Sequence, residues 1–374
     1  MINRTFRATA LCLPLLLATE LLVIDVAQAE PLYTVADFTR VRKFDAHVHA
    51  NVADHAFLDV ARRDKFEILS INVDYPDFPA LDIQANIAHQ LKAADPAHFH
   101  FVTTFSMKNF GSERWTHDTN QAIDAELKAG ALGVKVWKNI GMVEKNAHGQ
   151  FIMLDDSGFD GVMQHIEATH VPLVAHQAEP KNCWLPLAAM TTENDRSYFR
   201  DHPEYHMYLH PEQPSYESLI AARDRFVARH PKLPVVGAHL GSLEWSVDVL
   251  GKFLDTYPST VVDLAARMTQ VQYQSNADYT KVRNFFIKYQ DRILYGSDLT
   301  QNPPAATERA QNPPMDLAQF PQEADAFWRS DWTFLATTSS QHIEAIKADA
   351  KGLGLPQRVI DKIYYANAKR VFRP

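Results

Sequence analysis

Apolar residues cluster in short runs that alternate with amphipathic stretches along most of the chain. The β-rich runs are Lys43 to Ala50, Glu67 to Val73, His98 to Ser106, Ala131 to Lys138, Val171 to Gln177, Pro234 to Gly241, Thr260 to Ala266 and Arg292 to Asp298. Many are nearly continuous in apolar residues, as strands buried on both faces are. Helical periodicity fills the gaps, for example over Ala80 to Ala94, His117 to Ala129, Tyr216 to Arg229 and Tyr279 to Tyr289. Eight strand-then-helix units predict an α/β chain folded as a parallel (β/α)8 TIM barrel. A doubly wound open sheet would place a Gly-rich phosphate turn after an early strand, and no such turn is present.

Two segments exceed what a barrel needs: Glu179 to Ser215 after strand five, and Leu299 to Arg329 after strand eight. Both leave C-terminal strand ends, where barrels place their chemistry, so they are expected to be rim or lid loops. Surface decoration is the alternative. No repeat or low-complexity linker divides residues 30–374, which are read as one domain.

The N-terminus departs from this pattern. Arg4 and Arg7 precede an apolar stretch from Ala8 to Ala18, and Ala27-Gln28-Ala29 follows. This predicts a signal peptide over residues 1–29, cut after Ala29, and an exported, periplasmic protein. An uncleaved membrane anchor is the rival, interrupted by Glu20 and Asp25. Leu11 before Cys12 is too large for a usual lipoprotein cleavage site. After cleavage only Cys183 would remain, so no internal disulfide is expected. Cys183 reads as a packed small side chain and not a nucleophile. Net charge is −8 and no basic run occurs, which argues against nucleic acid. The expected partner is a small-molecule substrate. No stable membrane association is expected after cleavage, and a homo-oligomer is open.

The candidate chemistry lies at strand ends. In Phe44-Asp45-Ala46-His47-Val48-His49, strand alternation points His47 and His49 the same way, and two such imidazoles can grip one divalent ion. The same alternation puts Asp45 on that face, one layer deeper. The apolar runs of strands five, six and eight end in His176, His239 and Asp298. A desolvated imidazole or carboxylate costs free energy unless paired or ligated, so these three endings together with the first-strand pair point to a metal.

These motifs resemble the amidohydrolase superfamily, in particular the amidohydrolase-related branch that includes aminocarboxymuconate semialdehyde decarboxylase, aromatic-acid decarboxylases and lactone hydrolases. The resemblance runs from Lys43 to Phe372, and the closing Lys362-Ile-Tyr-Tyr-Ala-Asn-Ala-Lys-Arg-Val-Phe372 shares it. It implies that His47, His49, His176 and Asp298 hold the metal, most commonly zinc. His239 would orient or activate water or stabilise negative charge, and Asp298 would serve as the proton carrier. The stretch around Lys135, from Gly130 to Gly141, resembles urease-like members, in which that lysine is carbamylated and bridges two metals. His239 would then be a ligand of the second. Otherwise Lys135 would pair with a substrate carboxylate or with Asp45, and one metal is the favoured count. Lys138 falls on the opposite strand face and reads as a rim residue. Arg267, ending strand seven, could grip a substrate carboxylate or bridge to a loop acid. His202, His206 and His210 recur every four residues, but Pro203 and Pro211 oppose a regular helix, so they are expected to line a lid. Trp137 and Trp184 would form pocket walls or core. The expected activity is hydrolysis of an amide, lactone or related carbonyl compound. The alternatives are decarboxylation of an unsaturated or aromatic acid, and a non-catalytic metal or solute binder.

Overall fold

Nine parallel strands follow one another around a single sheet: β1 (Lys43–Ala50), β2 (Phe66–Ile71), β3 (Phe99–Thr104), β4 (Val134–Val136), β5 (Leu173–Ala175), β6 (Val235–Gly237), β7 (Thr260–Asp263), β8 (Ile293–Leu294) and β9 (Leu299–Gln301). This computed structural model describes residues 1, 30–75, 78–303 and 316–374. The expected signal segment, its first residue apart, lies outside the described residues, as does 304–315 of the second long segment. Residues Pro31–Pro374 form one compact unit. Among the described residues no helix is long and apolar enough to cross a membrane.

Each strand from β1 to β7 pairs with its successor, and β9 pairs with β1. Between β8 and β9 the ladder continues: Ala46 N–H donates to Tyr295 O at 2.9 Å and Asp298 N–H to His47 O at 2.8 Å. β8 and β9 are therefore two halves of one eighth strand, one beside β7 and the other beside β1. The sheet closes on itself as a (β/α)8 barrel, which leaves no open edge. Helices follow the strands, among them Leu81–Ala94, Trp115–Lys128, Tyr216–Arg229 and Tyr279–Lys288, close to the expected ranges. The strands are shorter than expected, because the last residues of most runs turn outward to build the mouth. Ala238–Gly241 is such a turn, with His239 and Leu240 at φ +58° and +57°.

The barrel interior is filled by one apolar residue or two from nearly every strand, including Phe44, Ala46, Leu69, Val102, Val174, Val236, Val261 and Leu294. The register of β1 on β2 shifts between Asp45 and Val48, the mark of a β-bulge. The bulge overturns the expectation that Asp45 faces the same side as His47. Phe44 and Ala46 lie inside, while Val48 and Ala50 belong to the outer layer. Asp45 points outward, where its Oδ2 accepts from Trp328 Nε1 at 2.8 Å. Its Oδ1 accepts the backbone N–H groups of His47 and Ser297 at 3.2 and 3.0 Å. The carboxylate thus satisfies backbone donors at the irregularity and holds the bulge that turns His47 and His49 inward.

The second long segment is not wholly loop. Leu299–Gln301 closes the sheet, and Phe320–Ala336 is a helix whose Phe320, Trp328 and Trp332 are buried. A short antiparallel pair absent from the sequence reading, β10 (Ser340–Ile343) and β11 (Ala348–Lys351), follows. The first long segment contains the helix Glu193–Asp201 and a small core of Cys183, Met190, Phe199 and Met207.

Candidate functional site

The backbone bends sharply where the strands end at the mouth. Besides His239 and Leu240, Ala178, Ser242, Ala266 and Asp298 have positive φ, Asp298 at +70°. Such conformations cost free energy in residues other than glycine and cluster where structure is held for function. Gly296 permits a close approach of another kind. A Cβ there would lie 3.0 Å from His47 Cβ, so the eighth strand can pass beneath His47 only without a side chain.

His47 (0% exposed), His49, His176 and His239 are all buried at this end. His47 Nδ1 lies 2.8 Å from Asp263 Oδ2, His49 Nδ1 lies 2.7 Å from Ile71 O, and His239 Nδ1 lies 2.9 Å from Ala265 O. A carbonyl or carboxylate oxygen only accepts, so each of these Nδ1 atoms carries the proton. Each neutral ring then keeps its lone pair on Nε2. Burial lowers the proton affinity of His47, with the nearby Lys135 adding to it, and keeps that ring neutral. Burial also lowers His176 and His239 well below the usual imidazole range.

The Nε2 atoms of His47 and His49 lie 3.4 and 3.2 Å from the same oxygen, Asp298 Oδ1. Potential ligand atoms of His47, His49 and Asp298 all fall within 4.8 Å of one another, and so do those of His47, His239 and Asp263. His176 stands beside His239, ring centroids 4.1 Å apart, and not in either group. His47 Nε2, His176 Nε2 and Asp298 Oδ1 have no hydrogen-bond partner. The Asp298 side chain remains 28% exposed, open to the mouth. Lone pairs and a carboxylate facing one another repel, and a divalent cation among them would remove that cost. This donor set fits the metal that the motifs imply.

Lys135 is buried on β4 between Val134 and Val136, which face the outer layer, and its Nζ has no hydrogen-bond partner. Burial pulls its ammonium down to about 8, against the attraction of Asp263 and Asp298. Pairing with Asp45 is ruled out by the bulge, which sends Asp45 to the other side of the sheet. Lys138 sits on the rim, ion-paired with Glu179. Arg267 donates from Nη1 to Ala266 O at 3.0 Å and forms no ion pair among the described residues, so the expected bridge to a loop acid is not seen. His206 Nε2 lies 2.8 Å from Leu185 O and His210 Nε2 3.0 Å from Pro203 O. His202, His206 and His210 follow short turns and not a regular helix, and no metal-competent group of the described residues includes them. Cys183 is fully buried, burial pushes its thiol up, and Sγ donates to Tyr205 O at 3.0 Å, as expected of a packing residue. Trp137 packs on Tyr75 with centroids 4.8 Å apart, and Trp184 Nε1 donates to Pro214 O.

The sequence reading missed Asp263. It accepts from His47 Nδ1 through Oδ2 and from His239 N–H through Oδ1 at 2.7 Å, tying β1, β6 and β7 together. The signal was available: Thr-Val-Val-Asp263 is an apolar run ending in a carboxylate, as on the other ligand-bearing strands. It also missed Glu244 and Gln270 near Arg267.

The sequence profile of the amidohydrolase family, in its second branch, matches residues 22–373, and the chain belongs to that family. No curated protein matches. Among solved structures, the chain is similar to 2,6-dihydroxybenzoate decarboxylase from Rhizobium (15% identity, covering 89% of this chain and 98% of that one, TM-score 0.48). It is also similar to a probable 2-pyrone-4,6-dicarboxylic acid hydrolase from Acinetobacter baumannii (10% identity, 89% and 100%, TM-score 0.48). A third is 5-carboxyvanillate decarboxylase from Sphingomonas paucimobilis (14% identity, 89% and 99%, TM-score 0.45).

Proposed function

We propose that this chain is a metal-dependent hydrolase that adds water to the carbonyl carbon of an amide, lactone or related substrate. The observation that supports it is the convergence of His47 and His49 Nε2 on one oxygen of Asp298, with Nδ1 of each ring already engaged by an acceptor. His47, His49, His176 and Asp298 would hold one divalent cation, zinc being our choice. When bound, such a cation acidifies water and polarises a carbonyl oxygen.

The chain's own residues supply the remainder. Asp263 holds the proton on His47 Nδ1, fixing the tautomer and the ring's direction. Asp298, open to the mouth, takes the proton of the attacking water and returns it to the leaving group. His239, its Nδ1–H fixed by Ala265 O, presents the Nε2 lone pair as an acceptor that orients the attacking water. The walls of the barrel exclude bulk water from these groups.

Elemental analysis of protein purified without chelator tests this, with His47→Ala as control. About one ion per chain, lost in the variant, together with metal-dependent cleavage of a lactone or amide, is the expected result. Two ions would make Lys135 a carbamylated bridge and His239 a ligand. Carbon dioxide release from an aromatic acid without such cleavage would make the enzyme a decarboxylase. An absence of metal, even after its addition, would sink the reading.

A further inference from the structure

Three buried polar atoms beside the site have no hydrogen-bond partner and no role in holding a metal. They are Glu244 Oε2, Gln270 Oε1 and Arg267 Nε. Their residues are 2%, 3% and 9% exposed. They come from the loops that follow β6 and β7, and they are tied to one another. Gln274 Nε2 donates both to Glu244 O at 2.7 Å and to Gln270 O at 3.1 Å, so the Glu244 backbone lies within reach of the helix Met268–Ala277 that Arg267 precedes.

The orientation of each is fixed. Glu244 Oε1 accepts Lys181 N–H at 2.7 Å, which holds the carboxylate against the loop after β5 and leaves Oε2 over. Gln270 Nε2 donates to Asp195 Oδ2 at 2.9 Å, and Asn182 Nδ2 donates to that oxygen at 2.8 Å. A carboxylate only accepts, so the amide of Gln270 must face Asp195 with its nitrogen, and its oxygen is left as an acceptor. Arg267 is near enough to both this group and the site for its charge to bear on Glu244 and also on His176 and His239. Leaving such atoms unmatched costs free energy in the free protein, which a complementary ligand recovers.

We propose that Arg267, Glu244 and Gln270 form a recognition pocket for an amino-acid-like end of the substrate, a carboxylate flanked by an ammonium or amide N–H. The inference rests on the hydrolase reading above and deepens it. One cation and two acceptor oxygens, one of them on the Glu244 carboxyl that burial pushes up to about 7, call for one anion and a donor-rich group. A plain carboxylic acid would satisfy Arg267 but leave both acceptors empty and place its charge near Glu244. A simple amine would do the reverse.

Titration calorimetry on metal-loaded protein tests the pocket with three probes of one shape: phenylalanine, its deaminated analogue 3-phenylpropanoate and its decarboxylated analogue 2-phenylethylamine. Metal content is measured on the same samples. Phenylalanine is expected to bind at least about tenfold more tightly than either analogue, the scale of one charge-assisted hydrogen bond. Glu244→Gln keeps the acceptor for Lys181 N–H but replaces Oε2 with a donor. It should weaken phenylalanine about tenfold and bind 3-phenylpropanoate no more weakly than wild type does. Arg267→Lys, which keeps the charge and loses the fork, should weaken both acids and spare 2-phenylethylamine, and serves if the first variant does not fold. Equal binding of phenylalanine and 3-phenylpropanoate, or no binding of any probe, would overturn the pocket whatever the metal content. A preference for phenylalanine in samples that take up no metal would keep the pocket and remove the hydrolase reading.

Discussion

The two ends of the barrel bury ionisable groups on strands of the same sheet and treat them in opposite ways. At the N-terminal end Glu67, on β2, accepts from Arg42 Nη2 at 3.1 Å and Tyr365 Oη at 3.0 Å through one oxygen. Through the other it accepts from Lys369 Nζ at 3.0 Å and lies 3.1 Å from His100 Nε2. Burial pushes its carboxyl up, but His100, Lys369 and Tyr365 outweigh that and bring it to about 2. At the mouth, His47 Nε2, His176 Nε2, Lys135 Nζ and Asp298 Oδ1 are buried without a partner. Matching every donor to an acceptor makes a buried charge part of the framework. Leaving several of them unmatched side by side costs free energy that a bound ligand would recover.

The largest effect that would sharpen this contrast is on the mouth. Adding a divalent metal to chelator-treated protein should raise stability by about 4 kcal/mol at roughly a thousandfold excess over Kd, followed by thermal unfolding. His47→Ala should unfold at the same point with and without metal. If wild type shows no shift, the unmatched atoms are not a metal site and the contrast between the ends collapses.

Next comes the matched end. Glu67→Gln leaves Lys369 and Arg42 short of a counter-charge and should cost about 3 kcal/mol by denaturant titration, with metal content unchanged. The pH dependence has a definite sign. The folded carboxyl sits below its ordinary value, so its contribution is present above about 4.5 and is lost as pH falls towards about 2. The difference between wild type and Glu67→Gln should shrink over that window. A variant that loses metal instead would show that the two ends are not independent.

Much of this contrast was legible in the sequence, and the failures have physical causes. Apolar runs that stop at His176, His239 and Asp298 gave the strand ends because strand burial and chain direction fix where such residues emerge. Asp45 was misplaced because alternation assumes an unbroken pleat, and a bulge between Asp45 and Val48 changes the parity. Sequence patterns carry no mark of such a bulge beyond the short polar residue that caps it. Asp263 was passed over for Arg267 although both end the same strand region, because a carboxylate that orients a ligand is recognised by whom it touches. Glu244 and Gln270 lie in a loop and a helix, with no periodic signal, and only the meeting of the loops after β5, β6 and β7 gives them meaning. The second long segment was read as loop because its three closing strand residues are too few to register.

A smaller effect separates ligands from their supports. Asp263→Asn keeps the shape but weakens the hold on His47 Nδ1–H and the tautomer it sets. It should lower metal affinity by about 10- to 100-fold, measured by competition with a chelator. Loss of binding as complete as in His47→Ala would make Asp263 a ligand itself.

A further test concerns a carboxylate that is neither fully matched nor at the mouth. Asp331, on the helix Phe320–Ala336, is buried behind the eighth strand, where its Oδ2 accepts from Tyr295 Oη at 3.0 Å. Burial raises its carboxyl to about 8, with a further push from Asp45 that the Tyr295 hydrogen bond opposes. The sign is therefore the reverse of that for Glu67. A folded value above the unfolded one makes the contribution full below about 4 and loses it as pH rises towards about 8. Asp331→Asn keeps an acceptor for Tyr295 and removes the ionisation. The variant should gain on wild type by about 1 kcal/mol for each pH unit between about pH 5 and about pH 7, and the gain should level off above about 8. The measurement is denaturant unfolding of both proteins in matched buffers. A flat difference across the window would mean that Asp331 stays ionised when folded. The protein would then contain, away from the mouth, a buried charge with incomplete pairing, and lack of partners would no longer distinguish a binding site from a framework.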